Sequence, residues 1–206
     1  ASGTRAVVLG AGFIGIEAVE AFARRGFETH LVEFAEHVLP PLEVEMATLV
    51  TQELRALGVC VHAGVAAQSV THGDDQDCVT LSDGTELGAD VIVLSTGLRP
   101  DTAFAEAAGI ETKRGYILVD EHGRTSADGI YAVGDGTTGR DHDRPVALAG
   151  PANRGGRLVA DAIADAEQGE ATARPIPSPQ ATAIVRIGSL TAAMTGANRQ
   201  ALDASG

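Results

Sequence analysis

The chain has 206 residues, of which 44% are hydrophobic and only 3% aromatic, and its formal net charge is −13. This is enough apolar material for one large or two small packed domains, and it excludes a disordered polypeptide. The acidic balance without a basic patch argues against a nucleic-acid partner, and no 18-residue apolar stretch marks a membrane span.

Ala, Val, Leu and Ile must fill the core, as in proteins where buried strands alternate with helices. The acidic residues are scattered, which reads as a solvated surface. No charged-then-apolar leader opens the chain. The two cysteines, Cys60 and Cys78, show no CxxC spacing. Both features fit a reducing, cytoplasmic setting and argue against a disulfide framework. The chain starts without Met and almost directly on a strand, which fits an excised domain or a fragment.

Residues 5–33, "RAVVLGAGFIGIEAVEAFARRGFETHLVE", read as strand, Gly-rich turn, helix, a stop at Gly26, and strand. Ile14, Ala18, Ala21, Phe22 and Arg25 fall at helical spacing and predict the stripe that faces a sheet. A second helix is expected over about residues 43–57, with Met46, Leu49, Val50, Leu54 and Leu57 on one face. Gly58 then supplies a left-handed stop. "VCVHAG" is a third strand. Residues 64–88 alternate between short runs and Asp/Gly turns, the pattern of a β-meander. "ADVIVLSTG", 89–97, reads as a buried strand.

Residues 116–135 predict another strand pair, with "IYAV", 130–133, as a buried strand that places Asp135 at its carboxyl end. In open α/β sheets ligands bind at such ends. Residues 150–169 form a helix with Pro151 near its first turn. The Pro-rich 170–179 is a linker. "ATAIVRIGSLTAAMTGAN" predicts two strands turning at Gly188-Ser189. Their exposed edges predict self-association.

Gly10, Gly12 and Gly15 form G-x-G-x-x-G between a strand and a helix. Glu33 closes the next strand 23 residues after Gly10, near the ~20 of dinucleotide folds. Gly10 permits the tight turn, Gly12 admits the pyrophosphate to the backbone, and Gly15 lets helix and strand pack closely. The helix N-terminus offers free N–H groups to the phosphates. Glu33 would accept ribose hydroxyls and repel a 2′-phosphate. No Lys or Arg follows before Arg55. No residue reads as an acid, base or nucleophile, and Cys60 and Cys78 read as inert buried strand thiols. Asp141-His142-Asp143 could ligate a metal but reads as a solvated loop.

Taken in order, "VVLGAGFIGIE", "THLVEFAEHVLPPLEVEM", "STGLRPDT", "GIYAVGDG", "LAGPANRGGR" and "ATAIVRIGSLTAAMTGAN" resemble the pyridine nucleotide-disulfide oxidoreductases. "LAGPANRGGR" resembles the coenzyme A disulfide reductase and NADH oxidase branch. These are flavoproteins with an FAD domain, an inserted NAD(P)H domain and a C-terminal dimerisation domain, and the complete enzyme is expected as a homodimer.

The resemblance implies an α/β fold. Residues 1–114 would be a Rossmann-like, three-layer NAD(H)-binding domain with a β-meander. Residues 115–170 would be the C-terminal part of an FAD-binding domain, and 180–206 the start of an α+β dimerisation domain. Ile14 and Glu17 would lie along the NAD(H), and Gly97 would let it pass close to the backbone. Asp135 would accept a hydrogen bond from the ribityl chain of FAD. Ala147, Leu148 and Ala149 would pass beside the flavin, and Pro151-Ala152-Asn153 would face its pyrimidine end. The single fingerprint could belong to either cofactor, but "FIGIE" and "HVLPPLEVEM" resemble the NADH version. The family's redox cysteine has no match here. The implied function is hydride transfer from NADH to FAD and on to a disulfide, persulfide or oxygen. A non-catalytic NAD(H)-binding module is the alternative.

Overall fold

A computed structural model describes residues 4–140 and 145–203. In chain order its elements are β1 (Arg5–Leu9), α1 (Phe13–Arg24), β2 (Glu28–Glu33), α2 (Val44–Ala56), β3 (Val59–Ala63), β4 (Ala67–Thr71), β5 (Asp77–Leu81), β6 (Glu86–Ala89), β7 (Val91–Leu94), α3 (Ala103–Ala107), β8 (Thr112–Lys113), β9 (Tyr116–Val119), β10 (Thr137–Gly139), α4 (Ala149–Gln168), β11 (Ala183–Ile187), β12 (Leu190–Met194) and α5 (Arg199–Asp203). They form two compact units, residues 1–98 with 183–206, and residues 99–182. No helix among the described residues is long and apolar enough to cross a membrane.

The first unit is built on a parallel sheet in the order β3-β2-β1-β7. The chain leaves β1 on one side toward β2 and β3 and returns on the other side as β7. The strand order therefore reverses at β1, and a crevice opens beyond the carboxyl ends of β1 and β7. Alternation along the strands sends Val8, Leu31 and Val59 to one face, where they pack with Ile16, Val19, Val50 and Leu54 of the helices. Val7, Leu9 and Val32 point the other way, onto Val79, Leu81 and Leu87. Those three belong to the expected meander, the antiparallel sheet β4-β5-β6. Helices, parallel sheet and meander give the three layers expected.

Several local expectations change. The buried side of α1 is Gly15, Ile16 and Val19, while Ile14 is 56% exposed. In α2 the buried positions are Ala47, Val50 and Leu54, and Met46 and Leu49 face outward. β7 is an edge strand and only half-buried, because a strand with one neighbour is covered less than a central one. Cys60 is exposed on edge strand β3, and Cys78 is half-buried in the meander. Both thiols are free, and neither is buried as expected. Gly58 does end α2 in the left-handed region, with φ +86°.

The last strand pair forms the expected hairpin, but it is docked rather than dangling. Val185, Ile187 and Ala192 are buried in the same core as α1 and α2. Glu20 accepts the Gly188 N–H at 3.1 Å, and Glu53 accepts the Ser189 N–H at 2.7 Å and its hydroxyl at 3.0 Å. These donors hold the Glu53 carboxyl below its usual range.

In the second unit Ala105, Ile110, Ile117 and Val119 form a small core beside the sheet β10-β9-β8. α4 buries Gly155, Leu158, Val159 and Ala162. At its far end Asp165 accepts the backbone N–H groups of Thr172 and Ala173, which turns the chain back and lowers the Asp165 pKa. The expected strand at 130–133 does not form. Tyr131 makes one isolated bridge to Arg124, and Ile130 and Val133 are 45% and 41% exposed. A strand needs a ladder of successive pairs, and here the pairing with residues 123–125 stops at that bridge, with the Thr125 N–H on the Ile130 carbonyl at 3.0 Å and the Ala132 N–H on the Gly123 carbonyl at 2.9 Å.

Candidate functional site

The Gly-rich turn occupies the crevice at the switch point of the first unit. Gly10 takes φ +98°, and its N–H is held by the Val32 carbonyl at 2.7 Å. A Cβ there would stand 2.5 Å from the Ser95 carbonyl oxygen, so only glycine fits. A Cβ on Gly15 would collide with the Gly10 carbonyl. That glycine lets α1 close onto β1. Gly12 differs, since a Cβ there would meet nothing within 4 Å. The backbone at Gly12 is thus open to an approaching ligand. Gly12 also caps α1, which has no side-chain cap and no acidic residue in its first turn. Its free N–H groups and positive dipole end are available to an anion. These residues fit a dinucleotide pyrophosphate.

The turn is braced from three directions. Glu33, half-buried at the end of β2, accepts the Ala11 N–H at 2.6 Å and the Ala35 N–H at 2.8 Å. The Leu39 N–H donates to the Ala11 carbonyl at 2.8 Å, so the N–H and the carbonyl of Ala11 are both held, one by the end of β2 and one by the segment after it. The Ser95 hydroxyl lies 2.8 Å from the Leu9 and Gly10 carbonyls. Ser95, Leu39 and the Ala11 peptide were not legible as site residues. Ser95 could have been found as the hydroxyl ending "VIVLS" opposite a Gly-rich turn. Leu39, with φ +47° and no exposed surface, carries no sequence signal.

The other expected dinucleotide residues rim this crevice or flank it. Gly97, with φ +109°, is exposed and has open space around it. Ile14 and Glu17 are exposed on the first turns of α1, and Leu94 and Leu98 are exposed at 74% and 78%. The structure therefore brings Gly10, Gly12, Gly15 and Glu33 together, with Ile14 and Glu17 on the adjoining helix.

In the second unit Asp135 is exposed in a turn closed by the Thr137 N–H on the Gly134 carbonyl at 3.0 Å. Its carboxylate has no hydrogen bond or ion pair among the described residues. A cavity of about 820 Å³ lies beside it, walled by Gly134, Val146, Gly150, Ala152, Arg140 and Arg154 among others. Of the residues expected to touch flavin, Pro151 and Ala152 line this cavity, whereas Asp135, Ala147, Leu148, Ala149 and Asn153 do not. The lining also includes Asp120 and Glu121, and Arg140 is paired with Glu111 at 3.0 Å, so room and the open backbone at the start of α4, rather than net positive charge, suit a dinucleotide of FAD's size. No group of three metal-ligating side chains occurs among the described residues, and Asp141-His142-Asp143 lies outside them.

Residues 1–166 match the family described as pyridine nucleotide-disulphide oxidoreductase. A rubredoxin-NAD(+) reductase of Alcanivorax borkumensis is 42% identical over 159 residues, which is 76% of this chain and 41% of that protein. The structure of an NAD-dependent persulfide reductase from A. fulgidus superposes with a TM-score of 0.91 at 34% identity, covering 98% of this chain and 37% of that one. Reduced CoADR-RHD from Bacillus anthracis gives 0.89 at 33% identity, covering 98% and 36%. The chain thus spans about two fifths of these relatives. The family's cofactors are NAD(P)H and FAD. The switch-point crevice, the three-layer unit and these matches agree: the chain belongs to the pyridine nucleotide-disulfide oxidoreductase family.

Proposed function

We propose that this chain is the NAD(H)-binding part and the C-terminal portion of the FAD-binding part of an oxidoreductase that moves hydride from NADH to FAD and on to a disulfide, persulfide or oxygen. In this reading residues 1–114 belong with NAD(H), 115–170 with FAD, and 180–206 begin a dimerisation domain of a cytoplasmic homodimer. The two free thiols support a reducing compartment. The observation that carries the reading is the braced turn. Gly12 is open, and the N–H and carbonyl of Ala11 beside it are both held.

Bound together, the two cofactors supply hydride chemistry. The chain's own residues bind and orient. The amides from Gly12 to Gly15 at the α1 N-terminus take the pyrophosphate, Glu33 takes the ribose hydroxyls, and Asp135 takes a hydroxyl donor from FAD. A narrower reading, a nucleotide-binding module without redox chemistry of its own, is favoured by the cysteines. Cys60 and Cys78 lie in β3 and β5, away from the Gly-rich turn.

The test is cofactor preference. A phosphate charge brought against Glu33 costs about 1–4 kcal/mol, so NADH should outbind NADPH by roughly ten- to several-hundred-fold. Calorimetric titration of both nucleotides measures this directly, and Glu33→Ala should narrow the gap. Equal affinities in the unaltered chain would overturn the assignment.

A further inference from the structure

The peptide group that joins Gly10 to Ala11 is held at both of its polar atoms, and from opposite sides. Its N–H, on Ala11, donates to the carboxylate of Glu33 at the end of β2, at 2.6 Å. Its carbonyl, on Gly10, lies 2.8 Å from the hydroxyl of Ser95, the residue directly after β7. β2 and β7 flank β1 in the sheet, so the two holds reach the turn from the strands on either side of it. The hydroxyl also stands 2.8 Å from the Leu9 carbonyl, but that oxygen already takes the Ser95 N–H at 2.8 Å. A serine hydroxyl has one proton to give. It falls to Gly10, whose carbonyl has no other donor among the described residues.

We propose that Ser95 is a positioning residue for the dinucleotide: its hydroxyl locks the Gly10–Ala11 peptide in the orientation that lets Glu33 and the Gly12 amide receive the ligand. The proposal rests on the NAD(H) reading above. The lock is needed because Gly10, with φ +98° and no side chain, is a free pivot. A turned peptide would present its oxygen where its N–H now stands. That oxygen would face the Glu33 carboxylate, which would lose a donor and be pushed from the ribose position. The Gly12 amide, one residue on, would swing with it. Ser95 opposes the turn from the other side. A Cβ on Gly15 would stand 2.8 Å from the Ser95 hydroxyl oxygen, so the third glycine of the fingerprint also makes room for the lock. Ser95 acts through the peptide and not by contact with the ligand.

The experiment compares the whole chain with its Ser95→Ala variant. Calorimetry titrates NADH and ADP-ribose, and hydrogen exchange by NMR follows the amides of Ala11 and Val8. Leaving the Gly10 carbonyl without a donor should weaken both nucleotides about 5- to 50-fold. The Ala11 amide should exchange about tenfold faster relative to that of Val8, inside β1, because the peptide opens while the strand stays closed. Unaltered affinity in Ser95→Ala overturns the proposal. So does equal acceleration at Ala11 and Val8, which would make Ser95 a support of the strand rather than of the peptide. If the unaltered chain binds NADH, the NAD(H) reading stands whatever Ser95 does. If it binds no dinucleotide, that reading falls and the role of Ser95 falls with it.

Discussion

The two units use the same materials, short apolar strands and glycine turns, with different results. In the first, the parallel sheet is covered on both faces, the hairpin closes the helix layer, and the Gly-rich turn is braced before any ligand arrives. In the second, the core is small, the run Ile130–Val133 lacks a ladder, and Asp135, beside a large cavity, has no partner among the described residues. The first unit has a preorganised site. The second has residues suited to a ligand without the framework that would fix them. A binding residue is only as good as the elements that hold its geometry.

The largest effect should come from ending the chain at residue 182. Val185 and Ile187 are almost fully buried in the first unit's core, and losing both removes about 3–6 kcal/mol of burial. The first unit should then melt on the order of 10 °C or more lower and aggregate. The bare sequence leads to the opposite expectation, since exposed edges that drive self-association would make a chain without them more monodisperse. Calorimetry and light scattering decide, and an unchanged melt would mean that the hairpin is not part of this core.

A second contrast concerns the cofactors. A polypeptide of these 206 residues should bind NADH while retaining FAD at well below one per chain. Flavin released by denaturation and measured by chromatography gives the ratio. Stoichiometric FAD would show that the second unit is as well organised as the first.

The smallest effect is a pH dependence confined to the first unit. His62 is held below its ordinary value of 6.5, first by burial and then by the nearby charge of His30. The two rings share a 3.1 Å hydrogen bond, which needs one of them neutral. Glu28, bound to Arg5, borders His30, and Asp83 partly opposes the shift of His62. Below pH 6.5 the unfolded chain takes a proton at residue 62 that the folded chain resists. Stability is therefore full above that pH and declines as pH falls toward the lowered value. His62→Gln should flatten this slope in melts across the range, and an identical slope in both proteins would remove the pair from the account.

Much of the first unit was legible because one pattern served several levels at once. The strand, Gly10-x-Gly12-x-x-Gly15, helix and Glu33 each had one structural reading, although the cofactor had two, and the structure keeps them together. The buried face of α1 was not legible. Ile14 is apolar yet lies outward at the ligand end, so hydrophobic spacing marks two faces and cannot choose between them. The run Ile130–Val133 has strand composition, but composition cannot say how far pairing with a neighbour will extend, and here it stops at one bridge. The docking of the hairpin depends on Glu20 and Glu53, whose partners lie 168 and 136 residues away, a separation that no local pattern encodes.

Leu39 has a consequence for anyone altering this protein. Its backbone is left-handed, and its side chain is fully buried in the helix-side core. Glycine is the usual remedy for such a backbone and would relieve about 1–3 kcal/mol of strain. The hole left by the leucine would cost a similar amount or more, about 2–5 kcal/mol. No single substitution improves the position. A relaxed version needs two changes together, glycine at 39 and a larger side chain in the surrounding core. Position 39 should therefore change in step with its neighbours, in a library as in related sequences, and seldom alone.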